Sequence, residues 1–422
     1  MTSPILIIGA GLAGLTCANY LHQAGRPVLL LDAADAVGGR IRTDVTSDGF
    51  RLDRGFQVLL TNYPETKRLL DYDALNLQRF RSGAVIRLED GRRTTLQNPL
   101  QRPLAAVSAL TAPIGSLPDK LRILSLVRHV LKHSPDELLA RPGVDTRTFL
   151  RRYGWSETMI NTFFRPFFGG VFLDRELSTA SNFFEFVFQQ FVTGDAAVPA
   201  LGMQQIPEQL AARLLAGTIR LNTAVAAIDS EGRTVRLASG ETLRGSAVVV
   251  AADGPAGAQL LAGAGFPTPP LAREGRPTTC TYFAATGNSP GRADKLLRLN
   301  AALAPALAHN VAFPADVSPA YAPAGQSLVS VSTHGPHGLR EAELTECLRG
   351  ELAAWFGPAA RQWRHLRTYQ IAYGLPVYAA GQPARQPRQL AQGLFRCGDW
   401  AAYPSQNGAM AAGREVAELL LR

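Results

Sequence analysis

The stretch ILIIGAGLAGLTCANYLHQAG (residues 5–25) decides how the rest of the chain is read. Ile5 to Ile8 make a short β-branched run that suits a buried strand. Gly9, Gly11 and Gly14 follow at once, with Leu12 and Ala13 between them, and a helical pattern continues through Leu15, Ala18, Asn19 and Leu21. Strand, glycine turn and helix is the order in which a dinucleotide site is built. Gly9 permits the turn off the strand, Gly11 lets the backbone approach a pyrophosphate, and Gly14 lets the helix pack on the sheet with its N-terminus aimed at the phosphates. A second apolar strand, Val28 to Leu31, runs into Asp32 and Ala33. An acid there is placed to grip ribose hydroxyls and disfavours a 2′-phosphate. Residues 2–23 carry no Asp, Glu, Lys or Arg, so hydropathy alone would read a spanning or export segment. The glycine break and the lack of positive charge before the apolar run favour the nucleotide cradle.

A chain of 422 residues supports two to three domains, and 46% hydrophobic with 18% charged residues is a globular rather than a disordered composition. The formal charge of +9 is spread over scattered arginines with no run of five basic residues, so no nucleic-acid partner is expected. Attraction to acidic membrane surfaces or anionic substrates stays open. Cys17, Cys280, Cys347 and Cys397 lie far apart, which argues against a zinc site and against a disulfide framework. A reducing, cytoplasmic location is the expectation, with peripheral membrane contact as an addition to it. His129 with His133, and His334 with His337, have spacings that could hold a metal, but no acid or thiol completes either pair, so none is expected.

Three further stretches extend the nucleotide reading. DAADAVGGRIRTD (residues 32–44) places Gly38 and Gly39 before Arg40, giving a loop with free backbone amides and a cation. GFRLDRGFQVLL (residues 49–60) is a strand ending in a loop with Gly55, Phe56 and Gln57. LFRCGDWAAYPSQNGAMAAGREVAELLL (residues 394–421) reads as a strand closing in Gly398 and Asp399, a loop with Tyr403 and Pro404, and a helix starting near Asn407. Together they resemble the FAD-dependent superfamily of flavin-containing amine oxidases, protoporphyrinogen oxidases and carotenoid (phytoene) desaturases. PALGMQQIPEQLAARL (residues 199–214) resembles the return segment of these enzymes, and residues 218–253 read as strands joined by Glu231-Gly232 and Ser239-Gly240 turns.

The resemblance implies non-covalent FAD, since Cys397 lies outside the attachment context. It also implies that Val225 sits on the strand beside adenine, that Asp399 meets the ribityl-phosphate end, and that Gly408, Ala409 and Met410 open a helix aimed at the flavin ring, where a helix dipole would stabilise negative charge. The expected fold is α/β: a discontinuous, Rossmann-like FAD-binding domain of the GR2 type from residues 1–62, 205–255 and 390–422. Residues 63–204 are expected as a helical lobe and 256–389 as the sheet part of a substrate domain. Within the lobe, Pro118 and Asp119 signal a helix start, followed by an apolar stripe at Leu121, Leu124, Val127, Val130 and Leu131.

Ten of the 19 phenylalanines fall between Phe163 and Phe191, a density that suits either an aromatic core or an apolar tunnel. Phe164, Phe168, Tyr373 and Tyr403 are the candidates for the substrate pocket. The expected reaction is removal of two electrons from a hydrophobic small molecule as hydride to flavin N5, with oxygen or a quinone-like acceptor downstream. No catalytic side chain is assigned, because the cofactor carries the chemistry. No lysine stands within residues 278–286, where amine oxidases present one, and Ser405 falls where their aromatic cage has a member. Both departures favour the desaturase and protoporphyrinogen oxidase side. An amine oxidase with an atypical cage and a non-redox flavoprotein acting as an isomerase are the alternatives.

Overall fold

The computed structural model describes residues 3–97, 112–268, 270–287, 289–304, 306–383 and 386–422. Part of the expected helical lobe, residues 98–111, lies outside these. A six-stranded sheet runs in the order Ile219–Arg220, Val28–Leu31, Ile5–Ile8, Ala247–Val250, Leu394–Arg396, Gln389–Ala391. Its first five strands are parallel and the last is antiparallel. Ile5–Ile8 and Ala247–Val250 are buried along their whole length, as central strands covered on both faces must be.

On one face Ile5, Ile7 and Val249 pack against the helices Leu12–Gln23 and Gln406–Leu420. On the other, Leu6, Ile8, Val248 and Val250 meet Ile228, Val235 and Leu237 of an antiparallel sheet formed by Val225–Ile228, Thr234–Leu237 and Thr242–Arg244. The two helices touch closely because Gly413 has no side chain: a Cβ there would lie 2.3 Å from the Ala13 carbonyl oxygen. Strands from the beginning, middle and end of the chain thus share one sheet.

The second large sheet has seven strands in the order Arg364–Pro376, Gly275–Thr286, Gln326–His334, Asn310–Ala312, Leu297–Asn300, Gly83–Arg87, Arg93–Gln97. Its last two strands come from the segment expected to be helical, which therefore splits into a hairpin that completes this sheet and a helical remainder. The turn Glu89-Asp90-Gly91 between two short alternating runs carries that hairpin signal. The helix Glu341–Phe356 covers the outer face, with Leu344, Leu348, Leu352 and Trp355 packed on Phe283, Val329 and Val331.

The helical lobe contains Leu117–Leu131, Thr146–Tyr153 and Ser181–Thr193. Ser116 caps the first: its hydroxyl accepts from Asp119 N, while the Asp119 carboxylate accepts from Ser116 N. The buried face of this helix is Leu126 and Val130, whereas Leu121, Leu124 and Leu131 are 56%, 55% and 52% exposed. The expected stripe is therefore only partly the packed one. The helix is apolar on two faces, and periodicity cannot say which of them a neighbour covers. Among the described residues no helix is long and apolar enough to cross a membrane.

Candidate active site

A cavity of about 1620 Å³ runs from the glycine turns of the parallel sheet to the inner face of the seven-stranded sheet. Its nucleotide end is assembled from bare backbone. Gly9 leaves the first strand at φ +110°, where a Cβ would stand 2.8 Å from Ala251 O. Gly11 faces the cavity, and a Cβ added to it would meet no protein atom within 4 Å. The second glycine loop clamps onto the first: Gly38 N donates to Ala10 O at 2.9 Å, and a Cβ on Gly39 would lie 3.5 Å from Gly11 Cα. Gly38 (φ +118°) and Gly39 (φ +60°) adopt conformations that favour glycine. Open space opposite Gly11, with the N-terminus of Leu12–Gln23 behind it, is what a pyrophosphate requires.

Asp32 lines the same cavity, and both of its carboxylate oxygens already hold the turn. Oδ2 accepts from Ala10 N at 2.6 Å and Oδ1 from Ala34 N at 2.8 Å. Its place is fixed by these bonds, and each oxygen keeps further acceptor capacity at the cavity wall. Ala33, with Val225 on the crossing sheet, completes this end.

Arg40 joins three distant segments. Its Nη2 is 2.6 Å from Asp399 Oδ1, its Nη1 donates to Gly374 O at 2.9 Å, and its own carbonyl accepts from Gln57 Nε2 at 3.0 Å. Burial opposes the Arg40 charge, but Asp399 outweighs it, and the guanidinium pKa is raised. Gly55 (φ +100°), Phe56 and Gln57 line the cavity beside it, and Gly398 and Asp399 face them. At the second helix start Ser405 Oγ accepts from Gly408 N at 2.9 Å, and Pro404, Ser405, Gln406 and Ala409 form the wall. An elongated ligand with a central double phosphate and a flat end fits this set of groups.

Not every expected residue reaches the cavity. Gly14 lies behind the turn, where a Cβ would fall 1.9 Å from Gly9 O. Gly408 serves close packing, since a Cβ there would lie 2.1 Å from Tyr403 O, and Met410 is fully buried.

The far end is aromatic. A π-helical turn, Ile160–Phe164, leads into the helix Arg165–Val171. The wider turn changes the phase of the side chains. Phe163 and Phe167 stack at 6.0 Å and face the cavity together with Phe168, Phe183, Phe188 and Phe191. Phe164 points away, into Trp155 and Phe184. Of the four pocket candidates, Phe168 lines the cavity and three stand behind it. Phe164 is core. Tyr373 fills the notches left by Gly254 and Gly275, beneath the Arg40 guanidinium. Tyr403 packs between Phe183 and Phe186, its hydroxyl accepting from Asn407 Nδ2 at 2.7 Å.

The seven-stranded sheet contributes wall residues that the sequence reading did not single out, Thr278, Asn310, Ser332, Tyr369 and Ile371, together with His334, which it had weighed only as a metal ligand. The alternation in SLVSVSTH (residues 327–334), with Ser330, Ser332 and His334 opposite Val329 and Val331, was the available signal. Among the described residues neither histidine pair belongs to a group of three or more His, Cys, Asp or Glu side chains placed as metal ligands. His129 instead bonds Glu185 Oε1 at 2.7 Å.

A stretch of 72 residues is 39% identical to the 15-cis-phytoene desaturase of Arabidopsis thaliana, covering 17% of this chain and 13% of that protein. A stretch of 153 residues is 32% identical to the putrescine oxidase of Kocuria rosea, covering 32% of each. The chain thus matches about a third or less of the length of these curated relatives. The fold superposes with a TM-score of 0.74 on an Exiguobacterium sp. 255-15 protein assigned as a protoporphyrinogen oxidase, at 17% identity and covering 100% and 99% of the two chains. The profile of the family described as flavin containing amine oxidoreductase matches residues 12–421, from the first helix to the last. FAD is accordingly the cofactor, and the chain belongs to the flavin-containing amine oxidoreductases, as an FAD-dependent oxidoreductase.

Proposed function

We propose that the enzyme takes two electrons from a hydrophobic small molecule, in the manner of a desaturase or protoporphyrinogen oxidase, and passes them to oxygen or a quinone-like acceptor. The observation that carries this reading is the wall beyond the glycine loops: six phenylalanines, with Leu297, Leu299 and Val192 beside them. The carboxylates on the cavity wall do not serve it. Asp32, Asp253 and Asp399 belong to the nucleotide end, and Asp44 is held by Arg54 at 2.9 Å and by the Tyr369 hydroxyl at 2.7 Å. An ammonium ion would meet no uncommitted anion among these described groups, whereas an apolar skeleton gains burial against every ring.

Bound FAD supplies a two-electron acceptor for hydride. The chain's own part is to hold the substrate still, exclude water with the aromatic wall, and keep the cofactor in register through Arg40 and Asp399. The strand Gly275–Thr286 brings Thr278 to the cavity, and Thr278 and Ser405 put small side chains on its wall, which leaves width for a bulky skeleton. Leu121 and Leu124 line the cavity while remaining more than half exposed, next to Lys120. We assign this edge to contact with a lipid surface from which such a substrate would arrive.

Likeness to putrescine oxidase supports an amine substrate as the second reading. Anaerobic mixing of the flavin-loaded enzyme with polyenes, porphyrinogens and amines separates them. Flavin bleaching by a polyene or porphyrinogen is expected, and bleaching by amines alone would overturn the proposal.

A further inference from the structure

On the reading that the far end of the cavity takes an apolar substrate, we propose that Asn310, Ser332, Thr278 and His334 form a site for an uncharged hydroxyl group carried by that substrate. The register puts them together. Asn310 pairs with Ser332 and Thr278 with His334 across antiparallel strands, so each pair projects to one face, and Ser332 and His334 are two residues apart on the same strand. All four line the cavity. They make a polar stripe on a wall otherwise faced by phenylalanine.

Two atoms in the stripe lack partners. Asn310 is 4% exposed and its Oδ1, fully buried, accepts no hydrogen bond. His334 Nδ1 is also buried and unpaired. A buried acceptor without a donor is destabilising unless a ligand or water completes it. The neighbours keep the place open. A Cβ on Gly170 would come within 3.4 Å of Asn310 Nδ2 and 3.2 Å of His309 Nε2, and the glycine leaves that space empty. His309 in turn donates through Nε2 to Pro166 O at 3.0 Å and stacks on His334 with ring centroids 4.1 Å apart, which fixes the plane of the second ring.

The charge state selects the ligand. Burial and the nearby Arg175 push the His334 pKa down to about 3, and burial, with His334 and Arg175 adding to it, pushes His309 down as well. Burial thus favours the neutral form of both rings, and the stripe contains no carboxylate. An ammonium would face the positive field of Arg175, while a carboxylate, although drawn by that field, would have to give up its hydration and set its own lone pairs against Asn310 Oδ1. A hydroxyl donates to Asn310 Oδ1 and exchanges a second bond with the His334 ring at no charge cost. A substrate oriented this way is held by one polar end and by the phenylalanine wall along its length.

The test uses the flavin-loaded enzyme under anaerobic conditions, titrated with octanol, octane, octylamine and octanoic acid. Binding is read from the perturbation of the flavin spectrum and from the melting temperature. Octanol should bind about tenfold or more tightly than the other three. Asn310→Leu should abolish the preference for octanol over octane, and Gly170→Ala, which fits a helix and narrows the space before Asn310, should do the same if the first variant fails to fold. Equal binding of octane and octanol by the parent enzyme, tighter binding of the amine or acid, or an alcohol preference that survives the substitutions would overturn the site. Binding is read without turnover, so failure of flavin reduction by polyenes and porphyrinogens refutes the proposed reaction and leaves this result standing.

Discussion

A methyl group at Gly11 would meet no protein atom within 4 Å, whereas one at Gly14 would sit 1.9 Å from Gly9 O. The two positions therefore respond to substitution differently. Gly11 is the N-cap of the first helix, where serine is among the best residues, so Gly11→Ser should change apoprotein stability by no more than about 0.5 kcal/mol. It should still abolish copurification of FAD, read from the flavin-to-protein ratio. Gly14→Val should destabilise the fold itself by about 1–3 kcal/mol or more, read by denaturant unfolding.

Asp53 is a residue-scale case of a different kind. Its carboxyl accepts from Thr43 Oγ1 at 2.5 Å, Met203 N at 3.0 Å and the Tyr321 hydroxyl at 2.8 Å, yet burial pushes its pKa up to about 6. A folded-state pKa above the unfolded value means that folding favours the protonated acid. The stabilisation is complete below the unfolded pKa of about 3.9 and is lost as pH rises through about 6. Relative to Asp53→Asn, the parent protein should gain on the order of 1 kcal/mol in unfolding free energy between about pH 7.5 and about pH 5. Parallel slopes for the two proteins would show that Asp53 does not titrate there.

At the scale of the element, the helix Leu117–Leu131 presents two apolar faces with different uses. Leu126 is fully buried, and Leu126→Ala should cost about 2–5 kcal/mol. Leu121→Ser with Leu124→Ser removes side chains more than half exposed and should leave stability within about 1 kcal/mol. If the exposed face meets lipid, the double variant should lose co-sedimentation with anionic vesicles that the parent protein shows. Equal sedimentation of the two would refute that contact. The strand Gln326–His334 carries the complementary lesson. Its alternation was visible, but alternation ordinarily separates a wet face from a dry one, and here residues 327–333 are buried on both faces. A polar residue buried on such a strand has to be explained by what it faces, which composition does not record.

For the whole molecule, the decisive contact is Arg40 with Asp399, joining segments 359 residues apart. Arg40→Met would leave Asp399, with a side chain 6% exposed, unpaired beside the nucleotide loops. A loss of about 1–3 kcal/mol and of FAD affinity is expected, and the double variant Arg40→Met with Asp399→Asn should recover part of the stability in a double-mutant cycle. The sequence by itself determined the strand, glycine turn and helix at residues 5–25, and the strand and helix at the C-terminus. Those features depend on local spacing, on where a chain can turn and which positions have no room for a side chain. Tertiary structure alone decided that residues 83–97 complete the seven-stranded sheet, that Phe163 and Phe167 face the cavity while Phe164 does not, and that Tyr373 and Tyr403 pack behind its wall. The direction of a side chain toward a cavity depends on the phase of a π-helical turn and on neighbours hundreds of residues away, and neither is encoded in the spacing of residues along one segment.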